Sequence, residues 1–301
     1  MKRKRIVRKG QRVSAPGVAD KALLVALTVR FWAARKKDKA VSREVAEEKG
    51  AVEDAGVYVK RLLGGRPEAW RRVQKAANEV RNFHYENTLP WEEGLRILPA
   101  KNFLDYQNRL RDLRAEYDRA VEEFVAQYGR LKENARRELG DLYDEKDYPS
   151  AEAVRRKFAV EVSYYPMPQE QMVRLQGVAA EDLQDVRRRV EAQVEEGVRA
   201  AVRDLYRRLH EVVAHAHERL SDPDKVFRDS LIGNIRRACD AVSRLNLTDD
   251  PELNSLRDAV MEELGRHDPD TLRRNPDRRA LAAKKADALA AKLAAYVQTD
   301  E

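Results

Sequence analysis

The chain has 301 residues, 43% hydrophobic and 37% charged, with a formal net charge of +7. That hydrophobic content excludes wholesale disorder, and no apolar run approaches the roughly 20 residues of a membrane span. The lone cysteine, Cys239, excludes an intramolecular disulfide and a cysteine-built zinc site.

The first twelve residues hold Lys2, Arg3, Lys4, Arg5, Arg8, Lys9 and Arg12 and no acid. Those seven cations are the whole excess of the 59 basic over the 52 acidic residues. The basic character therefore belongs to an arm, and the body is neutral overall. The segment lacks the apolar stretch and small-residue cleavage site of a secretory signal. Residues 1–20, closing on Ser14-Ala15-Pro16-Gly17, are expected to form a flexible basic arm.

Leu23, Val25, Leu27, Val29 and Phe31 then alternate at period two, which predicts a strand. Ser42 is expected to start a helix, and Val52 to Leu63 a further one ended by Gly64-Gly65. Pro67 opens the next as a first-turn proline, running to about Tyr85. Pro90, Gly94 and Pro99 break the helical pattern in NFHYENTLPWEEGLRILPAK (residues 82–101). This stretch reads as a corner in which Tyr85, Leu89, Trp91 and Leu95 fill space and Asn87 and Thr88 satisfy backbone groups. Tyr85, Trp91 and Leu95 are also the candidate partner-binding residues.

From Phe103 through Leu142 apolar residues recur at a mean step of about 3.55, between a coiled-coil seam and a straight amphipathic helix. Phe158 to Tyr165 alternates again and stops at Pro166, predicting a second strand that pairs with the first. A second long stripe runs from Leu183 to Leu220. Each long helix would measure roughly 60 Å, and neither can bury its stripe alone, so antiparallel packing of the two is expected. Asp222-Pro223, Asp250-Pro251, Asp268-Pro269 and Asn275-Pro276 each place a capping side chain before a proline and predict four helix starts. In the last segment Leu281, Leu289, Leu293 and Tyr296 are expected to dock.

No motif specifies a reaction. Neither a phosphate loop nor a G-x-S-x-G elbow occurs. His210, His215 and His217 stand five and two residues apart, not at the i,i+4 spacing of a helical zinc pair, and read as packing or surface residues. His84 and Glu86 have no nucleophile or metal set beside them. No catalytic residue, metal ligand or cofactor is assigned, and the protein is read as non-enzymatic.

The segments LTVRFWAARKKDKAV, NFHYENTLPWEEGLRILPAKNFLDY, LGDLYDEKDYPS, RKFAVEVSYYPMP and DPDKVFRDSLIGNIRRACD occur in that order. In them the chain resembles a family of phage and prophage proteins of unknown function, over most of residues 22–297. The resemblance implies a phage-associated setting in the host cytoplasm. Some relatives accompany a MoxR-type AAA+ ATPase and a von Willebrand-type domain protein. It supplies no catalytic residues.

The expected fold is mainly α: a long antiparallel, coiled-coil-like helical hairpin (about 101–143 and 180–220), a small two-stranded antiparallel sheet, and a C-terminal set of shorter helices. The expected organisation is an arm (1–20), a strand and hairpin unit (21–222), and a helical segment packed on the hairpin (223–301). The first functional reading is a scaffold that binds nucleic acid independently of sequence, DNA in preference to RNA, through the seven arm cations and through Arg35, Lys36 and Lys37. Arg187, Arg188 and Arg189 are a possible extension. The second is a protein-interaction subunit or adaptor of an AAA+ ATPase and von Willebrand-type assembly. In both readings the protein is a homo-oligomer without a membrane contact.

Overall fold

Apolar residues at helical and strand spacing dictate the elements seen in a computed structural model, which describes residues 16–297. The arm cations Lys2 to Arg12 lie outside the described residues. A helical turn, α1 (Pro16–Ala19), precedes β1 (Ala22–Arg30), β2 (Arg35–Asp38), α2 (Lys39–Glu48) and β3 (Tyr58–Arg61). Then come α3 (Glu68–Glu86), β4 (Leu89–Pro90), β5 (Arg96–Pro99), α4 (Phe103–Leu139), α5 (Ala151–Arg155) and β6 (Ala159–Pro166). The chain continues through α6 (Gln184–Ser221), α7 (Ser230–Leu245), α8 (Pro251–Val260), α9 (Pro269–Arg274) and α10 (Pro276–Val297). No helix among the described residues is long and apolar enough to cross a membrane.

The fold is mainly helical with a small antiparallel sheet and a C-terminal helical set. The sheet is larger than expected: four strands in the order β4-β5-β1-β6, not two. The extra strands come from the corner segment, where β5 pairs antiparallel with β1 (Leu24 opposite Ile97) and with β4 (Leu89 opposite Ile97). This explains why Leu24 is buried along with Val25, although a one-sided alternation would expose it. A separate two-stranded ribbon, β2–β3, is also present. It replaces the helix expected over Val52 to Leu63, because extended Gly56 leads into Val57, Tyr58 and Val59, which favour strand.

The described residues divide into two units, each assembled from separated stretches: residues 16–26, 85–106 and 163–297 in one, 27–84 and 107–162 in the other. Residues 223–297 thus fall in the same unit as α6.

In the first unit, α6 buries Val194, Val198, Ala201, Leu205, Leu209, Val213, Ala216 and Leu220. Its long partner is α10, which contributes Ala282, Ala283, Ala286, Leu289 and Leu293 to the same core. The alanines let the two helices approach closely. Tyr206 and Tyr296 stack with centroids 4.5 Å apart, while Leu281 faces solvent. A hairpin of the two long helices is therefore not shown: α6 already has α10 along its apolar face. Prolines at 251, 269 and 276 open α8, α9 and α10, with Asp250 and Asp268 accepting from first-turn N–H groups. Asp222-Pro223 does not open a helix. Asp222 caps the end of α6, and Arg279 collects the carbonyls of Arg219 (2.9 Å), Leu220 (3.1 Å), Pro223 (3.2 Å), Lys225 (2.7 Å) and Asp222. Those carbonyls are thereby satisfied outside a helical ladder.

In the second unit, α4 buries Leu110, Leu113, Tyr117, Val121, Phe124, Tyr128, Leu131 and Ala135, as its spacing predicts. Aromatic rings fill that face: Trp32 lies 6.2 Å from Phe124 and 5.8 Å from Tyr128, and Phe31 packs edge-on to Trp70 and Phe158. The Tyr117 hydroxyl donates to the Arg30 carbonyl at 2.5 Å, and Arg81 donates to that of Val29 at 3.0 Å.

Candidate nucleic-acid interface

The β2–β3 ribbon is short, and its sequences, RKKD and YVKR, are mostly charged. Its register sets Arg35 opposite Arg61, Lys36 opposite Lys60, Lys37 opposite Val59 and Asp38 opposite Tyr58. Opposed residues in a ladder share a face and successive ones alternate. One face therefore carries Arg35, Arg61, Lys37 and Val59, and the other Lys36, Lys60, Asp38 and Tyr58.

The second face is anchored. The ammonium of Lys60, buried to 7% exposure, lies 2.8 Å from Asp147 and 3.1 Å from Asp38 and donates to the Leu142 carbonyl at 2.8 Å. Lys36 also pairs with Asp147. Burial alone would lower the Lys60 pKa, but the hydrogen bonds to Asp147 and Asp38 outweigh it and hold the amine above the ordinary lysine value. Burial likewise pushes the Asp147 carboxyl up, and Lys36 and Lys60 together pull it below its usual range. Asp38 is held low by the Val41 N–H, which it accepts as helix cap of α2, and then by Lys60.

The first face is open. Arg35, Lys37 and Arg61 are exposed, as is Arg66 in the turn that follows β3. Among the described residues these four enter no ion pair. Of the neighbouring carboxylates, Glu68 pairs with Arg71 (2.5 Å) and Arg72 (3.4 Å), and Glu138 accepts the N–H of Gly65, at the edge of this face, at 3.0 Å. At the foot of this face lies a shallow depression, about 250 Å³ including its open mouth. Ala33, Ala34, Leu63, Gly65 and Trp70 make its apolar lining, and Arg35, Arg61 and Arg66 its charged rim.

Local geometry holds the depression open. Ala34 takes a left-handed backbone (φ 49°), unusual for a residue with a Cβ, and its carbonyl accepts the Leu62 N–H at 2.8 Å. Gly64 turns the chain at φ 66°. The Trp70 indole donates to the Trp32 carbonyl at 3.3 Å.

The structure thus brings Arg35 and Lys37 together with Arg61 and Arg66, which reading the sequence did not single out, and turns Lys36 to the anchored face. The signal for Arg61 was its strand, YVKR, read as helix. Arg187 donates to the Val173 carbonyl at 3.3 Å and Arg188 pairs with Asp185. In the corner segment, half-buried Trp91 lies over Gly197 of α6, and Leu95 packs against the same core. Tyr85 is exposed, with the Arg96 guanidinium 4.9 Å above its ring. Arg208 donates to the carbonyls of Glu86 (2.9 Å), Tyr85 (3.0 Å) and Thr88 (2.8 Å), closing the end of α3. Burial, and then neighbouring Arg208, lowers the pKa of Arg96. His217 hydrogen-bonds the Ala283 carbonyl at 3.1 Å.

Comparison with protein-family models, curated proteins and solved structures finds no match to this chain.

Proposed function

We propose that the protein is a non-enzymatic helical scaffold that binds nucleic acid independently of sequence, in a phage-associated setting inside the host cell. The contacts would come from the arm cations and from the open face of the β2–β3 ribbon. The observation that carries this reading is the set of exposed cations Arg35, Lys37, Arg61 and Arg66, free of ion pairs among the described residues and mounted on a ribbon anchored from behind. Cations without an internal carboxylate keep their full capacity to neutralise phosphates and release counterions. A two-stranded ribbon fits the major groove of B-form DNA, whereas the deep, narrow groove of A-form RNA excludes it; this favours DNA.

Fluorescence anisotropy of a labelled duplex against salt tests the proposal. The full chain is expected to lose affinity linearly on a log–log plot, with a slope of about 0.9 per phosphate contacted. Removal of residues 1–12 should reduce both the affinity and the slope. Binding that ignores salt and the deletion alike counts against it.

The second reading is an adaptor in an AAA+ ATPase and von Willebrand-type assembly. Exposed Val45, Val52, Val57 and Val59, on and around α2 and β3, favour it as apolar surface left uncovered among the described residues. Co-purification with such an ATPase after nuclease treatment distinguishes it from the first. Self-association belongs to both and is read by light scattering with and without DNA.

A further inference from the structure

The open face of the ribbon ends in a pocket, and the pocket narrows what binds there. We propose that the depression between Arg35, Arg61 and Arg66 is a docking point for a single phosphate group, supplied by a nucleic-acid backbone. This deepens the nucleic-acid reading and rests on it for the source of the phosphate.

Arg35, Arg61 and Arg66 all line one opening. Guanidinium is a planar fork that grips phosphate oxygens in pairs and, unlike an amine, keeps its charge through any accessible pH. Arg35 and Arg61 face each other across the ladder, an arrangement that costs stability when no anion lies between them. Of the nearby carboxylates, Glu68 pairs with Arg71 and Arg72, while Glu138, which accepts the Gly65 N–H, lies beside the opening but forms no ion pair with these arginines. Ala34 is held in a strained backbone at the floor of the same opening, a feature that concentrates where structure is built for binding. The depression is shallow and open, so a ligand rests one group on it and leaves the remainder in solvent. A backbone phosphate meets that condition. The side chains of Ala33 and Leu63 carry no hydrogen-bonding group and the Trp70 indole N–H is taken by the Trp32 carbonyl, which matches contact through the backbone phosphate.

The test uses the full chain and a labelled duplex, with Arg61→Gln/Arg66→Gln compared against Arg111→Gln/Arg130→Gln on the outer side of α4. Relief of the Arg35–Arg61 opposition keeps the pocket variant folded, which its melting temperature verifies. The expected result is an affinity loss of about tenfold or more and a drop of about 1 in the salt slope for the pocket variant. The control should change less than twofold on the same criterion. Equal behaviour of the two variants overturns the docking point; the nucleic-acid reading still stands if deletion of residues 1–12 weakens binding. A second arm titrates inorganic pyrophosphate and follows tryptophan fluorescence, since Trp70 lines the pocket. If the wild-type chain binds no DNA, a pyrophosphate response abolished in the pocket variant supports a phosphate site fed by free phosphates and overturns the nucleic-acid reading. No response in either arm overturns both.

Discussion

Arg35 stands directly opposite Arg61 across the ribbon, with no carboxylate paired to either among the described residues. Like charges in that position destabilise a ladder by a few tenths of a kcal/mol up to about 1 kcal/mol. A ribbon shaped for stability alone would carry a β-branched or acidic residue at one of the two places. Arg61→Thr is therefore expected to raise the midpoint of thermal unfolding slightly while weakening DNA binding. Differential scanning calorimetry and anisotropy on the same preparation check both signs; a variant that loses stability along with affinity contradicts a functional role for the pair.

The anchored face makes the opposite prediction. Asp147→Asn leaves buried Lys60 with Asp38 and the Leu142 carbonyl but without its principal counter-ion. Breaking a buried pair typically costs 3–5 kcal/mol, and about 2 kcal/mol is expected because half-exposed Lys36 shares the carboxylate. Urea denaturation measures the loss.

The same group sets the pH range of the ribbon. Asp147 is depressed in the folded state, so its contribution is complete above an unfolded value near 3.9 and disappears as pH falls through the lower folded value. Lys60 is raised, so its contribution is complete below an unfolded value near 10.4 and disappears as pH rises through the higher folded value. Stability from this cluster should be flat between about pH 5 and pH 10. Hydrogen exchange at residues 58–61 across that range should show no step near neutrality.

The Trp91–Gly197 contact predicts a reversal of sign. A methyl group at Gly197 would run into the Trp91 ring, and overpacking costs typically 1–3 kcal/mol. Replacing glycine by alanine in a helix otherwise gains about 1 kcal/mol. Gly197→Ala should therefore destabilise the wild-type chain by about 1 kcal/mol, yet stabilise a Trp91→Ala chain by a similar amount. A double-mutant cycle from chemical denaturation reports the coupling directly.

Burial pushes the Cys239 thiol up to about 12, next to the Arg257 carbonyl 3.7 Å away. It should resist a thiol reagent at pH 8 in the native protein and react at once in denaturant, giving a chemical readout of opening in the first unit.

Much of the helical framework could be read in advance because it is local. Tyr106 to Ala135 follow steps of three and four, and those same residues are buried along α4. Pro251, Pro269 and Pro276 carry their helix starts in two adjacent residues. Long-range choices were not legible. The alanines of α10 leave a weak apolar stripe, so nothing local marks it as the partner of α6. RKKD looks like solvated charge, and only pairing with YVKR and with Asp147, 111 residues after Lys36, makes it a strand. For the same reason Arg35 and Lys37 could be named from sequence but Arg61 and Arg66 could not: the ladder register brings in Arg61, and the turn after β3 brings in Arg66.

Hydrogen–deuterium exchange of the full chain with and without a short DNA duplex tests the central claim most directly, because it reports where the duplex lies. Slowed exchange is expected at residues 35–37 and 59–66, with the outer turns of α4 unchanged. Protection confined to other segments, with the ribbon exchanging as fast as in the free protein, would contradict it.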